Sequence, residues 1–184
     1  MALNLPPSVR EAVWAAAAPL RELRLPVNWV RSDGLHLTLK FLGEVPEEQE
    51  PELQGALAQA AGSGAGGRSI PLVLGGFGVF PDQRRPRVVW VGIAPDPALE
   101  LLQHRVEQAF APLGFPTEGR PFRPHLTLGR AARDARGAAF HGLADALAGL
   151  EYAETVLVES VDLMASTLQR GGAVYQVRRS ARLD

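Results

Sequence analysis

Leu35, Leu37, Leu39 and Phe41 alternate with His36, Thr38 and Lys40, a period of two that predicts a strand with one apolar and one polar face. The same frame returns 89 residues later, where His125 and Thr127 share one face and Leu126 and Leu128 the other. Elsewhere the period lengthens. Val9, Ala12, Val13, Ala16 and Leu20, after Pro6-Pro7-Ser8, predict a helix ending near Arg24. Pro46-Glu47-Glu48 opens a second helix reaching about Ala61, since proline suits a first turn and carboxylates favour the positive end of the helix dipole. Leu99, Leu102, Val106, Phe110 and Leu113 mark a third, stopped by Gly114, and a fourth is predicted over 136–148.

Strands are expected at 27–31, at 70–79 and 87–93 as an antiparallel pair around an arginine-bearing loop, and at 153–165 and 174–181. Helices set between antiparallel strands indicate an α+β fold rather than a parallel βαβ wind. The glycine-dense run at 62–67 reads as a connector, because it neither follows a strand nor opens a helix as a phosphate loop would. The whole of 1–184 is read as one domain, long enough to bury a substantial core.

Composition narrows the chemistry. The chain has no cysteine, so disulfides and thiolate-held metals are excluded. Nineteen Lys plus Arg balance twenty Asp plus Glu, a net charge of −1, which gives no bulk attraction to duplex nucleic acid while leaving local grip on a phosphate open. The first residues have neither the basic start nor the apolar run of a signal peptide, and the apolar run before Leu20 is short and broken by Pro19. The expectation is a cytoplasmic protein without a membrane anchor.

The chain holds four histidines, and two stand in the identical tetrapeptide His-Leu-Thr-Leu, at 36–39 and 125–128. One histidine in a strand is more often a half-buried structural residue than a catalyst. Two in the same frame, in a chain with five threonines, are not expected by chance. The period of a strand sets imidazole and hydroxyl side by side on one surface. If the two strands lie in facing lobes, they line a cleft suited to displacement at a phosphodiester. One neutral imidazole takes a proton from water, one imidazolium gives a proton to the departing oxygen, and the hydroxyls donate to the non-bridging oxygens. No metal or cofactor is needed, and neither motif contains a carboxylate to complete a metal site. The residues alone do not say which imidazole is the acid.

Around these motifs the chain resembles the two-histidine phosphoesterase superfamily, and within it the RNA 2',3'-cyclic phosphodiesterases once described as 2'-5' RNA ligases. The resemblance takes in Asn28-Trp29-Val30-Arg31, the run from His36 to Val45, Arg85 to Gly92, and Arg120 to Leu128. It implies a bilobal α+β fold of two antiparallel sheets flanked by helices, with one motif per lobe facing a central cleft. It also implies metal-independent hydrolysis of terminal RNA 2',3'-cyclic phosphates to 2'-phosphates, with His36 as proton donor, His125 as proton acceptor, and Thr38 and Thr127 holding the phosphate. RNA ends or nucleoside 2',3'-cyclic phosphates are the expected partners, and a monomer the expected form. The alternatives are 2'-5' ligation, the same chemistry reversed, and an RNA-end binding module without turnover. Relatives usually begin with a fuller strand carrying aromatic residues before the position matching Ala2, which bears on how a base would stack.

Arg123 and Arg130 are candidate phosphate ligands. Arg123 shares the parity of His125, whereas Arg130 has the opposite parity and reaches that face only if the strand ends or bulges at Gly129. Lys40 reads as a solvated strand-end charge. Arg84, Arg85 and Arg87 read as solvated loop charges or guides for an RNA end, and His104 and His141 as structural or surface residues.

Overall fold

The strands run β1 Ala2–Asn4, β2 Val27–Trp29, β3 His36–Thr38, β4 Ile70–Phe80, β5 Val88–Ile93, β6 His125–Ala131, β7 Ala153–Val158, β8 Ser160–Gln169 and β9 Gly172–Arg182. The computed structural model describes residues 1–62, 69–169 and 172–183, so most of the connector expected at 62–67 lies outside the described residues. Hydrogen bonding orders the strands β7-β4-β5-β6-β3-β1-β8-β9, each antiparallel to its neighbours, with β2 also on β6. Where two sheets were expected, the described strands therefore form one. The join is narrow: β3 and β6 meet through the single register pair Leu37↔Leu126. Four strands lie on the β3 side of it and five, counting β2, on the β6 side, and each side carries one His-x-Thr motif at the seam.

The helices are α1 Pro7–Ala16, α2 Ala18–Glu22, α3 Glu50–Ala61, α4 Pro97–Phe110 and α5 Leu143–Ala148. α4 begins as its sequence dictates, with Asp96 Oδ1 accepting from the backbone N–H of Ala98 at 2.9 Å and Leu99 at 3.1 Å. Leu37, Leu39, Leu126 and Leu128 turn into a core shared with Val13, Leu20, Leu57, Val106 and Phe110 of the helices. Each such side chain removed from water contributes about 1.5–3 kcal/mol, which fixes the strand faces and so leaves histidine and threonine on the other side.

Three element boundaries differ from expectation. The first helix is broken near Ala17, because Pro19 cannot donate to the carbonyl four residues back. The helix expected from 136 is a short 3-10 turn, Gly137–Phe140, followed by α5, with Gly142 between them in the left-handed region (φ 80°). The strand expected over 153–165 divides at Glu159 into β7 on one side of the sheet and β8 on the other.

The run after His36 also departs from its alternation. β3 ends at Thr38, and both Leu39 and Lys40 donate their N–H to the carbonyl of Met1 (2.9 and 3.3 Å), which breaks the two-residue parity. Phe41 is consequently 78% exposed rather than in the core. Lys40 is not a solvated charge but only 4% exposed. Its Nζ donates to Glu107 Oε2 at 2.5 Å and to the Pro116 carbonyl at 2.8 Å, and the same carboxylate accepts from the Glu118 N–H. The pair ties the exit of the first motif to the segment leading into the second.

Candidate active site

The pair Leu37↔Leu126 sets the site. One step outward along the antiparallel strands places His36 level with Thr127 and Thr38 level with His125, all four on the face away from the core. The histidines are then diagonal neighbours, a relation that puts such positions about 7–8 Å apart.

Each ring is held the same way. His36 Nδ1 donates to the Gly34 carbonyl at 2.8 Å, and His125 Nδ1 donates to the Arg123 carbonyl at 2.7 Å. Because a carbonyl only accepts, the proton sits on Nδ1, and Nε2 is the nitrogen left to exchange protons. Each ring also meets an aromatic edge to face: Tyr175 of β9 lies 4.7 Å from His36, and Phe80 of β4 lies 5.0 Å from His125. Sequence reading missed both, since no local pattern links His36 to a tyrosine 139 residues on. Tyr175 packs against bare backbone: a Cβ on Gly34 would lie 3.2 Å from its ring.

Burial pushes both imidazoles below their ordinary pKa. The carbonyl bonds oppose this, and for both rings the positive charge of Arg130 adds to the lowering, with the Met1 amine adding to it at His36. That Arg130 acts on both rings places its charge near the site. The route is the bulge that its parity required: Val89 pairs with Gly129 and Trp90 with Thr127, so Leu128 is the extra residue that returns Arg130 to the histidine face. Glycine at 129 is required by packing, because a Cβ there would lie 2.5 Å from Val27 Cγ1.

Arg123 lies outside β6, and the contact it makes to His125 is through its carbonyl, while its side chain is exposed. Asn4, opposite His36 in the sheet, donates through Nδ2 to buried Asp162 at 2.7 Å. His104 and His141 lie on α4 and beyond a 3-10 turn, away from both motif strands in the chain. Among the described residues no group of three or more His, Asp or Glu side chains is placed to hold a metal ion, and no helix is long and apolar enough to cross a membrane.

The chain belongs to the 2'-5' RNA ligase superfamily, whose model matches residues 9–170. Its curated relatives are enzymes named RNA 2',3'-cyclic phosphodiesterase. That of Aeropyrum pernix is 33% identical over 153 residues, covering 83% of this chain and 84% of that protein. That of Methanothermobacter thermautotrophicus is 29% identical over 175 residues, covering 95% and 92%. With the Geobacillus stearothermophilus enzyme the match is 38% over 103 residues and spans 32% of that protein. Among solved structures, TT0787 of Thermus thermophilus superposes with a TM-score of 0.79 at 29% identity, covering 99% of this chain and 95% of that one. E. coli LigT complexed with 3'-AMP gives 0.75 at 27% identity, with the same coverage.

Proposed function

We propose that this single domain hydrolyses 2',3'-cyclic phosphates at RNA ends to 2'-phosphates, using the two imidazoles as an acid and base pair across a cleft between two lobes, one on each side of the β3–β6 seam. The observation that carries the reading is the matched presentation of both rings: each Nδ1–H is engaged by a backbone carbonyl, which leaves both Nε2 atoms to act from one face. Membership of a family with relatives named RNA 2',3'-cyclic phosphodiesterase supports it.

In this mechanism the Nε2 of neutral His125 takes a proton from water as the water oxygen bonds to phosphorus. The bond from phosphorus to O3' breaks, and protonated His36 gives its Nε2 proton to O3'. The products are a 2'-phosphate and a 3'-hydroxyl. Thr38 and Thr127 donate to the non-bridging oxygens, and Arg130 faces the charge that grows there. The choice of donor and acceptor rests on the resemblance noted from the sequence, because the geometry is alike for both rings.

Incubation with 2',3'-cyclic AMP in the presence of a chelator tests the reading. The expected product is 2'-AMP, and His36→Ala and His125→Ala should each lower kcat/KM by about 100-fold or more. Formation of 3'-AMP, dependence on added metal, or full activity in either variant would overturn it.

A further inference from the structure

Beside the histidines, on the β6 side, lies a feature that the proposed mechanism does not use. A cavity of about 640 Å³ is lined by Gly78, Trp90 and the loop Asp82–Arg84. It adjoins the site, since Trp90 is the register partner of Thr127 and Phe80 bridges the Trp90 ring (5.1 Å) and the His125 ring (5.0 Å). The indole lies across bare backbone, for a Cβ on Gly78 would stand 2.3 Å from its Cζ2. Its Nε1–H is buried and without a hydrogen-bond acceptor among the described residues, an expensive state for a donor.

Arg84 also lines a second cavity of about 340 Å³, together with Arg85, Arg87 and Arg136, over a floor that includes buried Pro86 and Phe140. None of these four guanidinium groups forms an ion pair among the described residues. The nearby carboxylate of Asp82 accepts instead from the backbone N–H groups of Arg84 and Arg85 (2.8 and 3.1 Å), and Arg87 donates to the Arg133 carbonyl at 3.2 Å. The two walls are fitted tightly, because a Cβ on Gly137 would lie 2.4 Å from the Arg84 carbonyl oxygen. Four uncompensated cations around one cleft, in a chain whose net charge is −1, concentrate a positive field there.

We infer that these two cavities are the track of the RNA strand: the nucleoside beside the reacting phosphate lies against Trp90, and the next backbone phosphate upstream is held in the groove of Arg84, Arg85, Arg87 and Arg136. The inference rests on the proposed hydrolysis of RNA ends and adds its substrate preference. A single-stranded oligonucleotide end is preferred over a free cyclic mononucleotide, because only the oligonucleotide fills the arginine groove.

The test compares a uridine hexanucleotide ending in a 2',3'-cyclic phosphate with 2',3'-cyclic UMP. At low salt kcat/KM for the hexanucleotide is expected to be at least about tenfold higher, from one to two charge-assisted hydrogen bonds. Arg85→Glu with Arg136→Glu should abolish that advantage and leave the mononucleotide within twofold. The slope of log(kcat/KM) against log salt should flatten by about 0.7 for each phosphate no longer neutralised. Arg85→Gln with Arg136→Gln, checked by its thermal melt, gives the same reading should the charge reversal fail to fold. Equal kcat/KM for the two substrates, or equal loss on both in the variant, overturns the groove. Binding of a labelled hexanucleotide ending in a 2'-phosphate, followed by fluorescence anisotropy, reads the groove without turnover. An enzyme that binds this probe through the arginines yet cleaves neither substrate would sink the catalytic reading alone, whereas affinity unchanged in the variants would sink this one.

Discussion

The two sides of the β3–β6 seam repeat one device and then diverge. Each presents a histidine fixed through Nδ1 to the carbonyl two residues earlier, with a threonine two places on and an aromatic ring at its edge. Beyond the threonines the likeness ends. The first strand stops after three residues, and its next cation, Lys40, turns inward to Glu107. The second continues for seven residues through a bulge that turns Arg130 outward, and it borders a Trp90-walled cavity and an arginine groove. Under the proposed mechanism proton transfer calls for two like groups, one from each copy of the motif, whereas gripping an anion and its attached chain calls for one set of cations, on one side.

That contrast can be broken in stages. The largest effect is expected at Lys40→Met, which leaves the Glu107 carboxylate buried without its partner. Chemical denaturation should show a loss of about 3–5 kcal/mol. A loss below about 1 kcal/mol would show that the first side does not depend on this inward charge. Arg130→Gln comes next, with kcat/KM falling about 10- to 100-fold once a charged hydrogen bond to phosphate is removed. Its pH profile sharpens the point. With both imidazoles lowered in the free enzyme, kcat/KM should be bell-shaped with its maximum below pH 6.5. Removing the Arg130 charge relieves part of that lowering on both rings, so the maximum should move to higher pH; movement of one limb alone would mean that Arg130 faces one ring only.

The smallest effects belong to the ring contacts. Phe80→Leu and Tyr175→Leu should each cost about two- to tenfold, the worth of one aromatic contact. Phe80 also braces Trp90, so its replacement should raise KM as well as lower kcat, whereas Tyr175→Leu should act on kcat alone. Identical behaviour of the two variants would remove the distinction between the sides.

Much of the site could be read from the chain because the information is local. Alternation alone sends Leu37, Leu126 and Leu128 inward and leaves His36, Thr38, His125 and Thr127 on the other face. Even the condition on Arg130 was legible, since parity demanded a bulge close to Gly129 and the sheet has one. What escaped depends on distant partners. Lys40 and Phe41 exchange their expected environments because Leu39 and Lys40 both donate to the one carbonyl of Met1, a partner in another segment. Phe80 and Tyr175 reach the rings only because strands far apart in sequence also pair, β5 with β6 and β8 with β1. The single sheet, in place of two, follows from one pair of leucines that no propensity distinguishes from their neighbours.

The main-chain acceptors behind the two imidazoles have a practical consequence for mutagenesis. Substituting Gly34 or Arg123 leaves the carbonyl oxygen of that residue in place, so an alanine scan does not remove the groups that fix both tautomers. An amide-to-ester exchange in the backbone, at the linkage between Gly34 and Leu35, weakens the first of those oxygens as an acceptor and is the edit to which the orientation of the His36 ring would respond.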